Sequence, residues 1–138
     1  MTLHLEIVTP ERMAYSDEVD MVLVPGIDGE LGILPHHAPL VSLLGMGELR
    51  IRKGADEESF AIAGGFLQVR PDKVVVMAET ADMASDIDLE KAEEAERALA
   101  SGYHEGADLA SARAELQGAL LRIRVAERRR REGPRSRG

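Results

Sequence analysis

Gly26-Ile27-Asp28-Gly29-Glu30-Leu31-Gly32-Ile33-Leu34-Pro35-His36-His37-Ala38-Pro39-Leu40-Val41 is the stretch on which the fold turns. No other part of the chain is as dense in glycine, proline and histidine. Asp28-Gly29 is a favoured hairpin pair. Residues 31–34 then read as strand, stopped by Pro35, because proline cannot donate to a ladder. The stretch is a hairpin loop and strand at one end of a small β-domain, and its loop is a surface for touching another protein. Two chemical readings fail. Gly26, Gly29 and Gly32 do not make a dinucleotide fingerprint, which must follow a strand and open a helix. His36 and His37 are adjacent, so an extended backbone points them opposite ways, and no third histidine stands at ligand spacing. No metal site is expected. His37 is expected to be a contact residue, stiffened by Ala38-Pro39.

Outward from this stretch the chain alternates or runs apolar in short pieces. Leu3, Leu5 and Ile7 share one face of a half-buried strand. Residues 19–25 make a second strand, and its unbroken apolar run from Met21 to Val24 predicts burial on both faces. Leu49 and Ile51 alternate with Arg50 and Arg52. Residues 60–63 and 66–69 read as two strands separated by a tight turn or bulge at Gly64-Gly65, and residues 74–78 as the last. Short strands with turn chemistry between them predict an antiparallel sandwich or flattened barrel.

Near Asp82 the composition turns to Ala, Glu, Leu and Arg, which favours helix. Asp86 or Asp88 can cap a first helix, and Gly102 ends it near Ser101. Residues 103–107 connect, Asp108 caps a second helix, and that helix runs to about Arg131. Leu89, Ala92, Ala95 and Leu99 form one stripe. Leu109, Ala112, Leu116, Ala119, Ile123 and Ala126 form the other, in steps of three and four. Two helices on a short loop pack antiparallel. Because the stripes are rich in alanine, the hairpin is expected to be marginal.

Composition narrows function. Aromatics are 3% of the chain and cysteine is absent, so base-stacking platforms are scarce and thiol chemistry is excluded. No apolar run reaches the roughly 18 residues of a membrane span, and the N-terminus lacks a signal peptide's pattern. The net charge of −8 divides unevenly. Residues 1–86 carry 15 acidic and 6 basic side chains, whereas residues 122–137 alone hold eight arginines and two glutamates. An acidic body repels phosphate, which opposes nucleic-acid binding. The arginines suit a helix end or an acidic partner. No nucleophile, metal set or acid–base pair can be assembled, so no catalytic residue is expected.

Gly29 to Leu40, with Leu49-Arg50-Ile51-Arg52, Gly64-Gly65-Phe66, Val69-Arg70-Pro71, Asp86-Ile87-Asp88 and Arg124-Val125-Ala126-Glu127, resembles the ε subunit of the rotary proton-translocating ATP synthase. The motifs occur in that family's order and cover nearly the whole chain. The resemblance implies an N-terminal antiparallel ten-stranded β-sandwich (1–84) and a C-terminal antiparallel two-helix hairpin (85–132); residues 133–138 are expected to be a flexible basic tail. It implies a non-catalytic rotor subunit without cofactor, at the cytoplasmic face of the bacterial cell membrane and not inserted in it. Its implied partners are the γ subunit, the c ring, met by Gly29, Glu30 and His37, and the catalytic α and β subunits when the hairpin extends. In the extended form the hairpin inhibits ATP hydrolysis, with Arg122, Arg124 and Arg128 to Arg131 charged suitably for an acidic segment of those subunits. Some members bind ATP as a regulatory ligand. The matching positions here are Asp82, Ile87, Asp88, Lys91, Ala92 and Arg122. Lys91 stands where the motif has arginine, Gly118 where a further arginine falls, and Asp82 where a glutamate does; lysine lacks the bidentate fork.

Overall fold

The computed structural model describes residues 1–100 and 109–132. Eight strands join in one mixed sheet: β1 (Leu3–Val8), β2 (Met13–Val19), β3 (Met21–Gly26), β4 (Gly29–Ile33), β5 (Leu40–Leu44), β6 (Gly47–Lys53), β7 (Asp56–Val69) and β8 (Val74–Met83). A 3-10 turn, Ala84–Asp86, leads into α1 (Leu89–Ala100) and α2 (Leu109–Glu132). A β-domain followed by two packed helices is therefore correct.

Ten antiparallel strands is not. The described residues hold eight, and β1 runs parallel to β8, with Leu5 opposite Val74 and Val8 opposite Met77. One strand of the difference arises because Gly64-Gly65 does not turn the chain back. Gly64 at φ 63° and Gly65 at φ 120° bend one continuous strand of 14 residues. Its register with β8 survives the bend, with Ala63 opposite Thr80 and Gly65 opposite Ala78. The first part of β7 pairs with β6 and the second with β5, so one strand serves both halves of the domain.

β2 has no counterpart in the strands expected from sequence. It is an edge strand, bonded to β1 alone in the strand order, and its Ser16 and Glu18 face water. Side-chain pairs fasten it instead. Glu18 accepts from Thr2 Oγ1 at 2.9 Å and lies 2.7 Å from His4 Nδ1. Those two contacts hold the Glu18 carboxyl below its ordinary range. Lys53 does the same for Asp17, assisted by the Glu18 backbone N–H.

The expectation that β3 is buried on both faces also fails. Val22 and Val24 are sealed in the core, while Met21 and Leu23 are half-buried. Register explains it: Met21 lies opposite Arg52 and Leu23 opposite Arg50, so the outer face is covered only by arginine stems.

The main core draws on every half of the sheet: Leu5, Ile7, Val19, Val22, Val24, Ile33, Leu49, Ile51, Phe60, Ile62, Leu67 and Val76 are all nearly or wholly inaccessible. Phe60 meets Tyr15 edge-on at 5.7 Å between centroids. Burial, with Asp17 and Glu58 adding, pushes the Tyr15 hydroxyl above its ordinary range.

Of the two expected caps, Asp88 opens α1: its Oδ1 accepts the Lys91 N–H at 3.1 Å. Asp86 ends the 3-10 turn instead. Gly102, residues 103–107, Asp108 and the tail 133–138 lie outside the described residues, as do the side chains of Leu99, Leu109, Ala112, Arg130 and Arg131. On α2 the stripe is present, with Ala119 and Ala126 buried and Leu116 and Ile123 half-buried. A second buried face appears that the stripe did not contain. Leu121 and Val125 pack with Ala61, Ala84 and Ile87 in a small core of their own. Among the described side chains of α2, Leu121 and Val125 are the large ones that are fully buried, each contributing about 1.5–3 kcal/mol. Docking of α2 on the sandwich thus rests on little apolar area.

Candidate functional site

The Gly26–Val41 stretch forms a two-residue turn, a strand and an exposed loop. Gly26 pairs with Gly29 across Ile27-Asp28. A Cβ on Gly26 would meet the Gly29 carbonyl oxygen at 2.5 Å, and Gly29 holds φ 135°, so both glycines serve the turn. Glu30 is exposed, with Arg50 Nη2 3.8 Å from its Oε2. His37 is exposed and its ring Nδ1 lies 2.7 Å from the Ala38 carbonyl oxygen. Glu30 and His37 do not meet. About 10 Å of strand separates Glu30 from Ile33, and His37 lies beyond it, lining a cleft of about 390 Å³ with Thr2, His4, Arg70 and Lys73. His36 takes φ 67°, left-handed for a residue with a Cβ, and its Nε2 lies 3.1 Å from Met1 Sδ. Gly29 and Glu30 sit at one end of β4 and the histidines at the other. Among the described residues no three histidines or carboxylates gather as a metal site.

A surface the sequence did not disclose lies on β5. Val41 is 68% exposed and Leu43 60%, while their neighbour Leu44 is buried. Phe66, 40% exposed, stands directly opposite Leu43, and Ile27, 61% exposed, donates its N–H to the Leu43 carbonyl at 3.0 Å. This is a contiguous apolar patch on an acidic domain, and such patches mark contact surfaces. The available signal was period two in residues 40–44, but an apolar run does not say which face is covered.

The six residues proposed for ATP do converge. Asp82, Ile87, Asp88, Lys91, Ala92 and Arg122 line one cleft of about 220 Å³ with Asp86. Gly118 lies beside Arg122, since a Cβ on it would stand 3.4 Å from Arg122 Nη1. Charge and size both limit the cleft. Three carboxylates face two cations, so a polyphosphate entering it needs a divalent cation to offset them. The volume is below the roughly 300–1,000 Å³ of ordinary ligand pockets. Asp88 is already engaged as the helix cap.

The described arginine side chains of α2 separate into three settings. Arg122 lines the cleft, and Arg124 is exposed. Arg128 and Arg129 turn onto the sandwich. Arg128 Nε donates to Glu48 Oε2 at 2.9 Å and its Nη2 to Ser59 Oγ at 2.7 Å, with Nη1 3.7 Å from Glu57 Oε1. Arg129 Nη1 lies 3.6 Å from Glu58 Oε1, which has no hydrogen bond. The strand pattern explains the meeting. Glu57, Ser59 and Ala61 alternate onto the outer face of β7, and Glu48 pairs with Ala61. Small Ser59 and Ala61 let α2 come close, while Phe60 and Ile62 point into the core.

Taken together, these features define a class: a β-sandwich with a docked two-helix hairpin, with an exposed apolar patch and without an assembled catalytic set among the described residues. Relatives agree. The family described as ATP synthase, Delta/Epsilon chain, beta-sandwich domain matches residues 2–84. An ATP synthase epsilon chain of Dehalococcoides mccartyi is 49% identical over 132 residues, spanning 93% of this chain and 94% of that one. One from Halalkalibacterium halodurans is 45% identical, spanning 92% and 98%. Among solved structures, a chain of the Euglena gracilis mitochondrial ATP synthase (OSCP/F1/c-ring) has a TM-score of 0.65 at 22% identity, covering 95% of this chain and 81% of that. A chain of the Tetrahymena thermophila mitochondrial ATP synthase central stalk and c ring gives 0.59 at 15%, covering 91% and 97%. At such identities the two structures speak for the fold alone. The chain belongs to the epsilon-chain family of ATP synthase, non-catalytic subunits of that complex.

Proposed function

We propose that this chain is a rotor subunit of the central stalk, linking γ to the c ring and coupling proton flow to ATP synthesis. The observation that carries it is the exposed apolar patch of Val41, Leu43 and Phe66 on an otherwise acidic sandwich. It is the surface that suits a permanent protein partner, and γ is that partner. Gly29 and Glu30 at one end of β4, and His37 at the other, meet the polar loops of the c ring. The sandwich (1–84) makes these contacts, and the hairpin (85–132) is the regulatory arm. When extended, the arm brings Arg122, Arg124, Arg128 and Arg129 to an acidic segment of the catalytic subunits and inhibits ATP hydrolysis. No helix among the described residues is long and apolar enough to cross a membrane; attachment at the cytoplasmic face of the bacterial membrane is through these partners. Co-purification with γ and the c ring tests the assignment.

A second reading, regulation by ATP, is favoured by the convergence of Asp82, Ile87, Asp88, Lys91 and Arg122 on one cleft. With Lys91 in place of a fork-shaped guanidinium and three carboxylates nearby, binding is weak. Calorimetric titration with ATP and magnesium is expected to give a dissociation constant near 1 mM, about −4 kcal/mol, lost in Arg122→Ala. No heat at about ten times that concentration rules the reading out.

A further inference from the structure

We propose that Arg128 is an ionic latch: its contacts with Glu48, Ser59 and Glu57 hold α2 down on the sandwich, and breaking them frees the arginine-rich end of α2. The proposal rests on the hairpin being the regulatory arm, and names what sets its resting position.

Three observations support it. The contact is specific: Nε and Nη2 both donate to Glu48, and Nη2 also donates to Ser59, itself buried at 4% exposure. It is largely withdrawn from water, with the Arg128 and Glu48 side chains 21% and 22% exposed and Glu57 17%. Charge-assisted hydrogen bonds in such a setting are about twice as strong as neutral ones. Breaking the pair by removing one partner leaves a half-buried charge without its offset. The contact also bridges elements distant in sequence, 80 residues from Arg128 to Glu48 and 69 to Ser59, so it ties α2 to β6 and β7 rather than bracing the helix internally. The apolar contribution beside it is small, since Leu121 and Val125 are the large α2 residues in the second core. Removing the latch therefore changes the docking equilibrium by a large factor instead of a marginal one. Glu48 and Glu57 reach Arg128 and Glu58 reaches Arg129, so β6 and β7 offer the arginines acidic partners within the chain itself. An acidic segment of another subunit has to compete with them.

Hydrogen exchange of the α2 amides, followed by mass spectrometry on the full chain, tests the latch without any other subunit. Arg128→Ala and Glu48→Gln are each expected to speed α2 exchange about ten- to a hundred-fold. Arg128→Lys, which keeps the charge but loses the fork, falls between. Gln117→Ala, at an exposed position on α2, stays within about twofold of wild type. In the wild type, raising salt to about 1 M, where screening shortens to about 3 Å, speeds α2 in the same direction. Amides of β1 and β8 are expected to hold their protection in every variant, which separates undocking from unfolding. Unchanged α2 exchange in both Arg128→Ala and Glu48→Gln overturns the latch. If α2 is released but the latch variants do not alter ATP hydrolysis in the assembled enzyme, the latch stands and the regulatory reading of the hairpin fails.

Discussion

Replacing Gly65 by alanine is expected to prevent the sandwich from folding. Gly65 lies in the long strand that pairs with both β5 and β8. A Cβ there would stand 1.8 Å from the Met77 carbonyl oxygen and 2.9 Å from Ala78 Cα. Both obstacles are backbone of the paired strand, so no rotamer change relieves them. The strand would have to part from β8 where the sheet bends. Gly65 also holds φ 120°, which a residue with a Cβ rarely adopts. The cost exceeds about 4 kcal/mol, a large share of the 5–15 kcal/mol that holds an ordinary domain together. Gly54 is the control. Its φ is 63°, but nothing lies within 4 Å of an added Cβ, so Gly54→Ala should cost only about 1–2 kcal/mol. Soluble yield and urea unfolding midpoints measure both. A Gly65→Ala chain that unfolds within about 1 kcal/mol of wild type would mean that the bend in β7 is wrongly placed.

Ending the chain after Ile87 should raise ATP hydrolysis by the reconstituted enzyme about fivefold or more, the ordinary range for coupling between sites, while leaving the sandwich in the complex. The physical basis is that the main core belongs to the sandwich alone and the core shared with α2 is small. Every buried residue of the main cluster lies between Leu3 and Ala81, and the second cluster adds only Ala61 and Ala84 from the sheet side. Truncation uncovers Ala61, Ala84 and the already half-buried Ile87, and returns Glu48 and Glu57 to water, where carboxylates are at no disadvantage. Hydrolysis rates unchanged by the truncation would show that the hairpin is not an inhibitory arm.

Much of the fold was legible where one residue decides its own environment. The alternation of Leu3, Leu5 and Ile7 and the Asp88 cap are local signals, and each appears where its spacing put it, whereas the hairpin turn falls on Ile27-Asp28, one residue before the expected Asp28-Gly29 pair. Three things were not local. β2 breaks its own alternation, with Asp17 between Tyr15 and Val19 on one face, so hydrophobic period could not find it. Gly64-Gly65 carries the same residues whether the chain turns or bends, and only pairing with β8 decides between them. The parallel pairing of β1 with β8 joins strands from the two ends of the domain. The site divides the same way. The cleft residues could be named in advance, and they meet. The Arg128 contact with Glu48 could not, because sequence shows eight arginines near the C-terminus and many carboxylates without showing which ones touch. The apolar patch stayed hidden because Val41 and Leu43 look like core until the opposite face of β5 is known to be the covered one.

The central claim is that this acidic sandwich is held to γ through the Val41, Leu43 and Phe66 patch and travels with the c ring. Its most direct test is recovery of γ and c subunit on a tagged full-length chain, wild type against the double variant Val41→Asp, Leu43→Asp. Both positions are exposed, so the isolated variant should fold normally. Wild type is expected to recover both partners. The variant, burying two unpaired charges in the interface, is expected to lose about a hundred-fold or more in affinity. A wild-type chain that recovers neither partner, or a variant that recovers them as well as wild type does, would contradict the account.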